Sequence, residues 1–215
     1  AGLAPADVHA EPAELLRRTD LDLVDVCTPQ HLRRDLIVAA AEGGRHILSE
    51  KPIATTPRDA QAMVEAARGA GVCLAIVHNY LFFPEVLRTL ELIDADEIGP
   101  VGVAILNWLS VEDRPGNLAY RPTWRHDPGQ AGGGVLMDML HIVYLAEALV
   151  GRPIERVSAY VSARENGARV EDTAICRFET DQNVALVNVG WGLGPGGFVG
   201  SGPAGRIRVE YRDGG

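Results

Sequence analysis

Apolar positions along the first third of the chain follow two alternating patterns. Short unbroken runs at 21–28, 45–49 and 72–77 fit strands buried on both faces. Between them, apolar residues recur at helical spacing. Leu32, Leu36, Ile37, Ala40 and Ala41 share one face, and Gly43-Gly44 stop that helix. Thr56 is placed to cap a second helix and Pro57 to begin it, with Ala60, Met63, Val64 and Ala67 on its inner side. Pro12, Ala13, Leu15 and Leu16 suit a shorter helix over 11–20. Strand, helix, strand, helix, strand is the order of parallel crossover units in a doubly wound sheet.

After His78 the pattern changes. A helix is expected over 84–93, then a strand over 101–110. A Pro- and Gly-rich segment over 111–129 is longer than most structural loops, which marks it as functional or mobile. Gly132-Gly133-Gly134 open a helix expected to run to 149. Strands are expected over 154–163, 170–179, 184–191 and 206–211. The fold class is therefore α/β followed by α+β, with a mostly antiparallel second sheet and a domain boundary near residue 80.

Composition narrows the function classes. Hydrophobic content of 47% and charged content of 23% are those of a folded globular chain. A net charge of −9 argues against nucleic acid or an anionic membrane as partner. No run approaches the ~20 apolar residues of a membrane span, and residues 1–10 lack a signal-peptide pattern. Cys27, Cys73 and Cys176 lie in apolar runs without a C-x-x-C spacing. They are expected to be buried thiols in a reducing, cytoplasmic setting.

The candidate chemistry centres on Glu50-Lys51-Pro52, directly after the second strand. A lysine just past a strand end sits where α/β folds gather ligands. Pro52 restricts Lys51 to extended backbone and allows a cis bond. The plainer alternative is a surface ion pair before a turn. Asp138 and His141 lie three apart, on one face of the expected helix. A carboxylate there can orient an imidazole as a general base; a structural pair is the alternative. Neither has a convincing third ligand for zinc, so no metal is expected. Trp124-Arg125 can pack on a ring or hold an anion. His31 and His78 each follow a strand. Gly192, Gly194, Gly197 and Gly200, Gly202, Gly205 match G-x-G-x-x-G, but no helix is expected after either. A hairpin loop is the expected structure there, not a phosphate cradle.

Several motifs follow one another along nearly the whole chain. They are Asp25-Val26-Cys27-Thr28-Pro29-Gln30-His31-Leu32, Glu50-Lys51-Pro52, His78-Asn79-Tyr80 with Pro84, and Glu97-Ile98-Gly99. Trp124-Arg125 before Ala131-Gly132-Gly133-Gly134 and Asp138, and then Glu171-Asp172-Thr173-Ala174, complete the set. Their order and spacing resemble the glucose-fructose oxidoreductase, inositol dehydrogenase and rhizopine-catabolism (Gfo/Idh/MocA) family. The resemblance implies a partial NAD(P)-binding Rossmann domain over 1–79 and a partial C-terminal α+β substrate and oligomerisation domain over 80–215. It implies hydride transfer between NAD or NADP and a polyol, sugar or related compound. Lys51, His141 and Asp138 would be catalytic. Thr28, Pro29, His31, Glu50, Lys51, Pro52, Trp124 and Arg125 would meet the cofactor. Asn79 and Tyr80 would join Lys51, Asp138 and His141 around the substrate, and a homo-oligomer is implied.

Two departures qualify the resemblance. The family's opening strand, G-x-G-x-x-G turn and second strand have no counterpart here. The chain is therefore expected to be truncated at both ends and to bind NAD(P)H weakly or not at all by itself. The step from Asp138 to His141 is three residues, where the family usually has four. An NAD-dependent glycosidase using transient oxidation and a non-enzymatic dinucleotide or sugar binder stand as alternatives.

Overall fold

The computed structural model describes residues 4–110, 123–163, 169–191, 196–202 and 205–211. The chain divides into two compact units, Ala1–Val77 and His78–Gly215.

In the first unit, β1 (Leu23–Val26), β2 (His46–Ser49) and β3 (Leu74–Ile76) form a parallel sheet in the order β1-β2-β3. The crossovers are α2 (Arg33–Glu42) and α3 (Pro57–Ala70). Thr56 caps α3 as its sequence position predicts, its Oγ1 accepting the Asp59 N–H at 3.1 Å. Gly71 ends α3 at φ +69°, a left-handed conformation that glycine adopts without strain. The first helix, α1, covers only Pro12–Leu15, not all of 11–20. Beyond it the Arg17 and Arg18 N–H groups donate only three residues back, to Glu14 O and Leu15 O, and the Arg18 side chain pairs with Asp7 and Asp20. Residues 30–32 form a 3₁₀ turn, so α2 starts at Arg33. Ile37, Ile47 and Met63 are fully buried between sheet and helices. Each such side chain contributes about 1.5–3 kcal/mol of apolar burial.

The second unit carries α4 (Pro84–Asp94) and a six-stranded sheet. Its strands are β4 (Val103–Ser110), β5 (Arg156–Ser162), β6 (Thr173–Glu179), β7 (Val184–Trp191), β8 (Gly196–Gly202) and β9 (Gly205–Tyr211). The order is β5-β6-β7-β4-β8-β9, and only the β4–β7 pair is parallel. Alternation sorts the faces. Ala104, Leu106, Ala174, Cys176, Val187 and Val189 turn into the core with Leu145 and Leu149. In the opposite row, Tyr160 pairs with Ile175, Ile175 with Asn188 and Asn188 with Asn107.

Three expectations change in this unit. The helix expected to run to 149 is broken into α6 (Val135–Asp138) and α7 (Leu140–Val150), with Met139 between them at φ −97°, ψ 32°. The glycine-rich stretch expected to be a hairpin loop supplies strand β8, which pairs with β4 and β9. Backbone pairing in a sheet does not require side chains, so glycine-rich sequence can complete one. Of the long segment 111–129, residues 111–122 lie outside the described residues. Its end forms a 3₁₀ turn (Trp124–His126) and α5 (Pro128–Ala131), capped by Asp127 on the Gly129 N–H at 2.8 Å.

Among the cysteines only Cys176 is buried. Cys27 and Cys73 are exposed because one follows the end of β1 and the other precedes β3, outside the paired part of the sheet. No single helix among the described residues is long and apolar enough to cross a membrane. Among the same residues, no group of three or more His, Cys, Asp or Glu side chains could hold a metal ion.

Candidate active site

In the first unit the candidate residues gather at the C-terminal ends of β1 and β2. Parallel strands bring their ends to one edge, so Thr28-Pro29 after β1 and Glu50-Lys51-Pro52 after β2 become neighbours. Glu50 donates its N–H to Val26 O at 3.1 Å, and Ser49 O accepts the Val77 N–H at 2.9 Å. The Glu50 carboxylate accepts the Lys51 N–H at 3.1 Å. The Lys51–Pro52 peptide bond is cis.

Arg33, at the start of α2, binds the two turns together. Its Nε donates to Thr28 O at 2.7 Å and its Nη1 to Glu50 O at 2.5 Å and to Pro52 O. The side chain is only 4% exposed. Burial pulls its ionisation downward, and the Glu50 carboxylate opposes that shift.

A recess of about 360 Å³ runs beside β1, lined by Leu15, Leu16, Val24, Val26, Thr28 and Leu36 among others. Thr28 Oγ1 is buried without a hydrogen-bond partner among the described residues. An orphaned hydroxyl at a parallel strand end fits a ligand that would hydrogen-bond there. Thr28, Pro29, Glu50 and Pro52 thus suit the wall of a dinucleotide site. His31 is exposed in the turn after Pro29. No glycine-rich strand-to-helix turn occurs among the described residues.

In the second unit the candidates form two linked clusters. In one, Arg125 Nη1 donates to Asp138 Oδ1, and Trp191 Nε1 donates to Asp138 Oδ2 at 3.2 Å. The Arg125 guanidinium lies 5.4 Å from the Trp124 ring centroid, and His126 stacks on Trp191 at 5.6 Å. Trp124 Nε1 and Arg125 Nε are buried without partners among the described residues, two donors that a polar ligand would satisfy.

In the other cluster Tyr80 stacks face to face on His141, with centroids 3.9 Å apart. His141 Nδ1 lies 2.6 Å from Tyr144 Oη, which also accepts the Tyr80 N–H at 3.1 Å. His78 stacks on the ring of Tyr144 at 4.3 Å. Burial pushes the His78 imidazole below its ordinary value and, with Asp138 nearby, raises the Tyr80 phenol. Asn79 is exposed beside Tyr80.

Asp138 was expected to orient His141. His141 Nδ1 has Tyr144 as a partner, and the Asp138 oxygens accept from Arg125 and Trp191. Met139 breaks the helix between the two residues. Tyr144 lies three residues after His141 within continuous α7 and shares its face.

Sequence reasoning missed Arg33, Tyr144 and Trp191. The signal for Tyr144 was its spacing from His141. Arg33 stood on a helix turn facing the apolar side. A further signal concerns Lys51, the only lysine among the chain's twenty Lys and Arg residues. A side-chain amine is thus present only at this strand end.

The triple glycine serves packing. Val135 N–H donates to Glu171 O at 2.9 Å and Leu136 N–H to Glu171 Oε1 at 3.2 Å. A Cβ on Gly134 would stand 1.9 Å from Glu171 O.

Residues 4–78 match the family model described as oxidoreductase family, NAD-binding Rossmann fold, and residues 86–210 match the GFO/IDH/MocA C-terminal domain. The chain is 36% identical over 165 residues to 1,5-anhydro-D-fructose reductase of Ensifer adhaerens, covering 74% of this chain and 47% of that protein. It is 32% identical over 137 residues to levoglucosan dehydrogenase of Pseudarthrobacter phenanthrenivorans, covering 61% of this chain and 34% of that protein. A levoglucosan dehydrogenase solved with NADH and levoglucosan superposes with a TM-score of 0.85 at 25% identity, over 94% of this chain and 58% of that one. A WlbA dehydrogenase from Chromobactrium violaceum solved with NADH and UDP-GlcNAcA gives 0.85 at 27% identity, over 94% and 59%. The chain spans about a third to a half of the length of the two sequence relatives.

Proposed function

The chain belongs to the Gfo/Idh/MocA oxidoreductase family, and from that premise we propose that the protein is an NAD(P)-dependent oxidoreductase acting on a hydroxyl-bearing carbon of a sugar, polyol or related compound. The observation that carries the reading is the sole lysine, Lys51, fixed between Glu50 and Pro52 at the ligand-bearing edge of a parallel sheet.

The chemistry that a bound nicotinamide dinucleotide supplies is hydride transfer. Thr28, Pro29, His31, Glu50 and Pro52 would hold the dinucleotide in the first unit, and Trp124 and Arg125 are further candidate cofactor contacts. The Lys51 ammonium donates a hydrogen bond to the reacting oxygen and stabilises the charge that develops there. His141 exchanges the hydroxyl proton. Tyr80 packs its ring against that imidazole, while Asn79 and Asp138 contact substrate hydroxyls. The ligands of the relatives, levoglucosan and UDP-GlcNAcA, support a sugar-like substrate.

The protein acts as a homo-oligomer formed through the uncovered face of the second sheet. Tyr160 and Ile175, opposite each other in register, are 52% and 51% exposed there. Apolar side chains on an uncovered sheet face favour self-association. Three free thiols suit a cytoplasmic location.

The test uses the gene-encoded protein. NADH and NADPH absorbance is followed across a sugar and polyol panel for the native protein and Lys51→Ala. Turnover on at least one compound, falling about 100-fold or more with the substitution, is expected. An unchanged kcat/KM in the variant would remove Lys51 from the mechanism.

A further inference from the structure

We infer that Arg33 is the positioning residue for Lys51, acting through the main chain on both sides of it. The inference rests on the proposed role of Lys51 at the reacting oxygen. Its observations are separate from that role.

Arg33 is a buried cation with no ion pair among the described residues. Its acceptors are three main-chain carbonyls, Thr28 O, Glu50 O and Pro52 O. Burying a guanidinium is costly, and neutral carbonyls offset less of that cost than an ion pair would. The three acceptors also come from two separate turns. One belongs to the turn after β1, and the other two bracket Lys51-Pro52.

The planar guanidinium presents donors at fixed angles, so it holds those carbonyls in one geometry. Nη1 bridges Glu50 O and Pro52 O, which fixes the peptide unit before Lys51 and the one after Pro52. Nε fixes Thr28 O, so the Lys51 turn cannot move relative to the turn that carries the orphaned Thr28 hydroxyl. Arg33 itself is anchored by α2, whose Ile37, Ala40 and Ala41 are buried in the core. The lysine is thereby registered to the body of the sheet through one side chain. An amine on a four-carbon stem could not span three acceptors, so charge alone does not satisfy the site.

The single lysine makes the test direct. Reductive methylation with ¹³C-formaldehyde labels Lys51 and the chain's amino terminus, and Lys51→Ala identifies which methyl signal is the lysine's. Arg33→Lys adds a second amine, so the test variant is Arg33→Gln, which can reach one carbonyl and introduces no label. Its expected spectroscopic effect is a displaced Lys51 methyl signal, roughly twofold narrower as the turn gains fast motion. The expected kinetic effect is a fall in kcat of about 100-fold, with substrate KM within about threefold. A Lys51 methyl signal unchanged in position and width would overturn the inference.

If Arg33→Gln does not fold, the native protein still decides. Its Arg33 side-chain ¹⁵N spectrum should show two separate Nη signals, because bound carbonyls stop rotation of the guanidinium. One averaged Nη signal would overturn the inference. A Lys51→Ala variant with full activity would remove the proposed role of Lys51 but leave the spectroscopic result for Arg33 standing.

Discussion

The hydroxyl of Tyr144 stands 2.6 Å from His141 Nδ1 and accepts the Tyr80 N–H at 3.1 Å, so one oxygen serves two partners. Tyr144→Phe leaves both without it. Each buried group left unpaired costs about 1–3 kcal/mol, so the variant should unfold at clearly lower urea concentration. If the loss runs through His141, combining it with His141→Ala will cost less than the sum of the two single changes. Additive losses would mean that the two side chains are not energetically coupled.

Lys51→Arg tests geometry apart from charge. The guanidinium retains the positive charge but is broader and planar, so its donors cannot occupy the place of a compact ammonium. On the proposed mechanism kcat/KM should fall about 100-fold, with stability within about 0.5 kcal/mol of the native protein. A rate near the native one would show that charge alone suffices.

Two glycines predict opposite outcomes. Gly134→Ala would place a methyl group on Glu171 O, a main-chain atom that cannot move aside without losing the Val135 N–H bond. It should cost about 1–3 kcal/mol or more. Gly69 lies within α3, and a methyl group added there would meet nothing within 4 Å. Gly69→Ala should therefore stabilise the chain by about 0.4–1 kcal/mol. Thermal or urea unfolding of both variants checks the pair.

The depressed His78 imidazole gives stability a pH dependence of definite sign. Above pH 6.5, the ordinary value, His78 is neutral in folded and unfolded chains alike, and its contribution is fully present. As pH falls the unfolded chain takes up the proton first, because the folded site is partly desolvated. Stability is then lost progressively down to the lower folded value. His78→Gln should flatten the stability curve as pH falls below 6.5. An identical slope in the variant would assign the dependence to other groups.

Tyr160→Lys and Ile175→Lys place two charges on the uncovered sheet face. Charges buried in an interface disfavour association. Sedimentation should show the native protein as an oligomer and the double variant shifted toward monomer at the same concentration.

Much of the architecture is a local property of the sequence. The strand runs ending at Val26, Ser49 and Ile76, the Thr56-Pro57 start of α3 and the glycine stops follow from periodicity and backbone preference. The place of Lys51 at a strand end follows in the same way, since it needs only the end of β2 to be found. What local pattern could not supply was the set of partners. Arg33 reads as one more basic residue on a helix until parallel pairing brings Thr28, Glu50 and Pro52 within reach of its guanidinium. Asp138 and His141 read as partners on one helix, but Glu171, far along the chain, fixes the start of that helix. Across the break at Met139, Asp138 also meets Arg125 and Trp191, and His141 meets Tyr144. Elements form from neighbours in sequence, where spacing is legible. Hydrogen-bond partners are chosen among groups brought together by packing, and only the tertiary structure decides those.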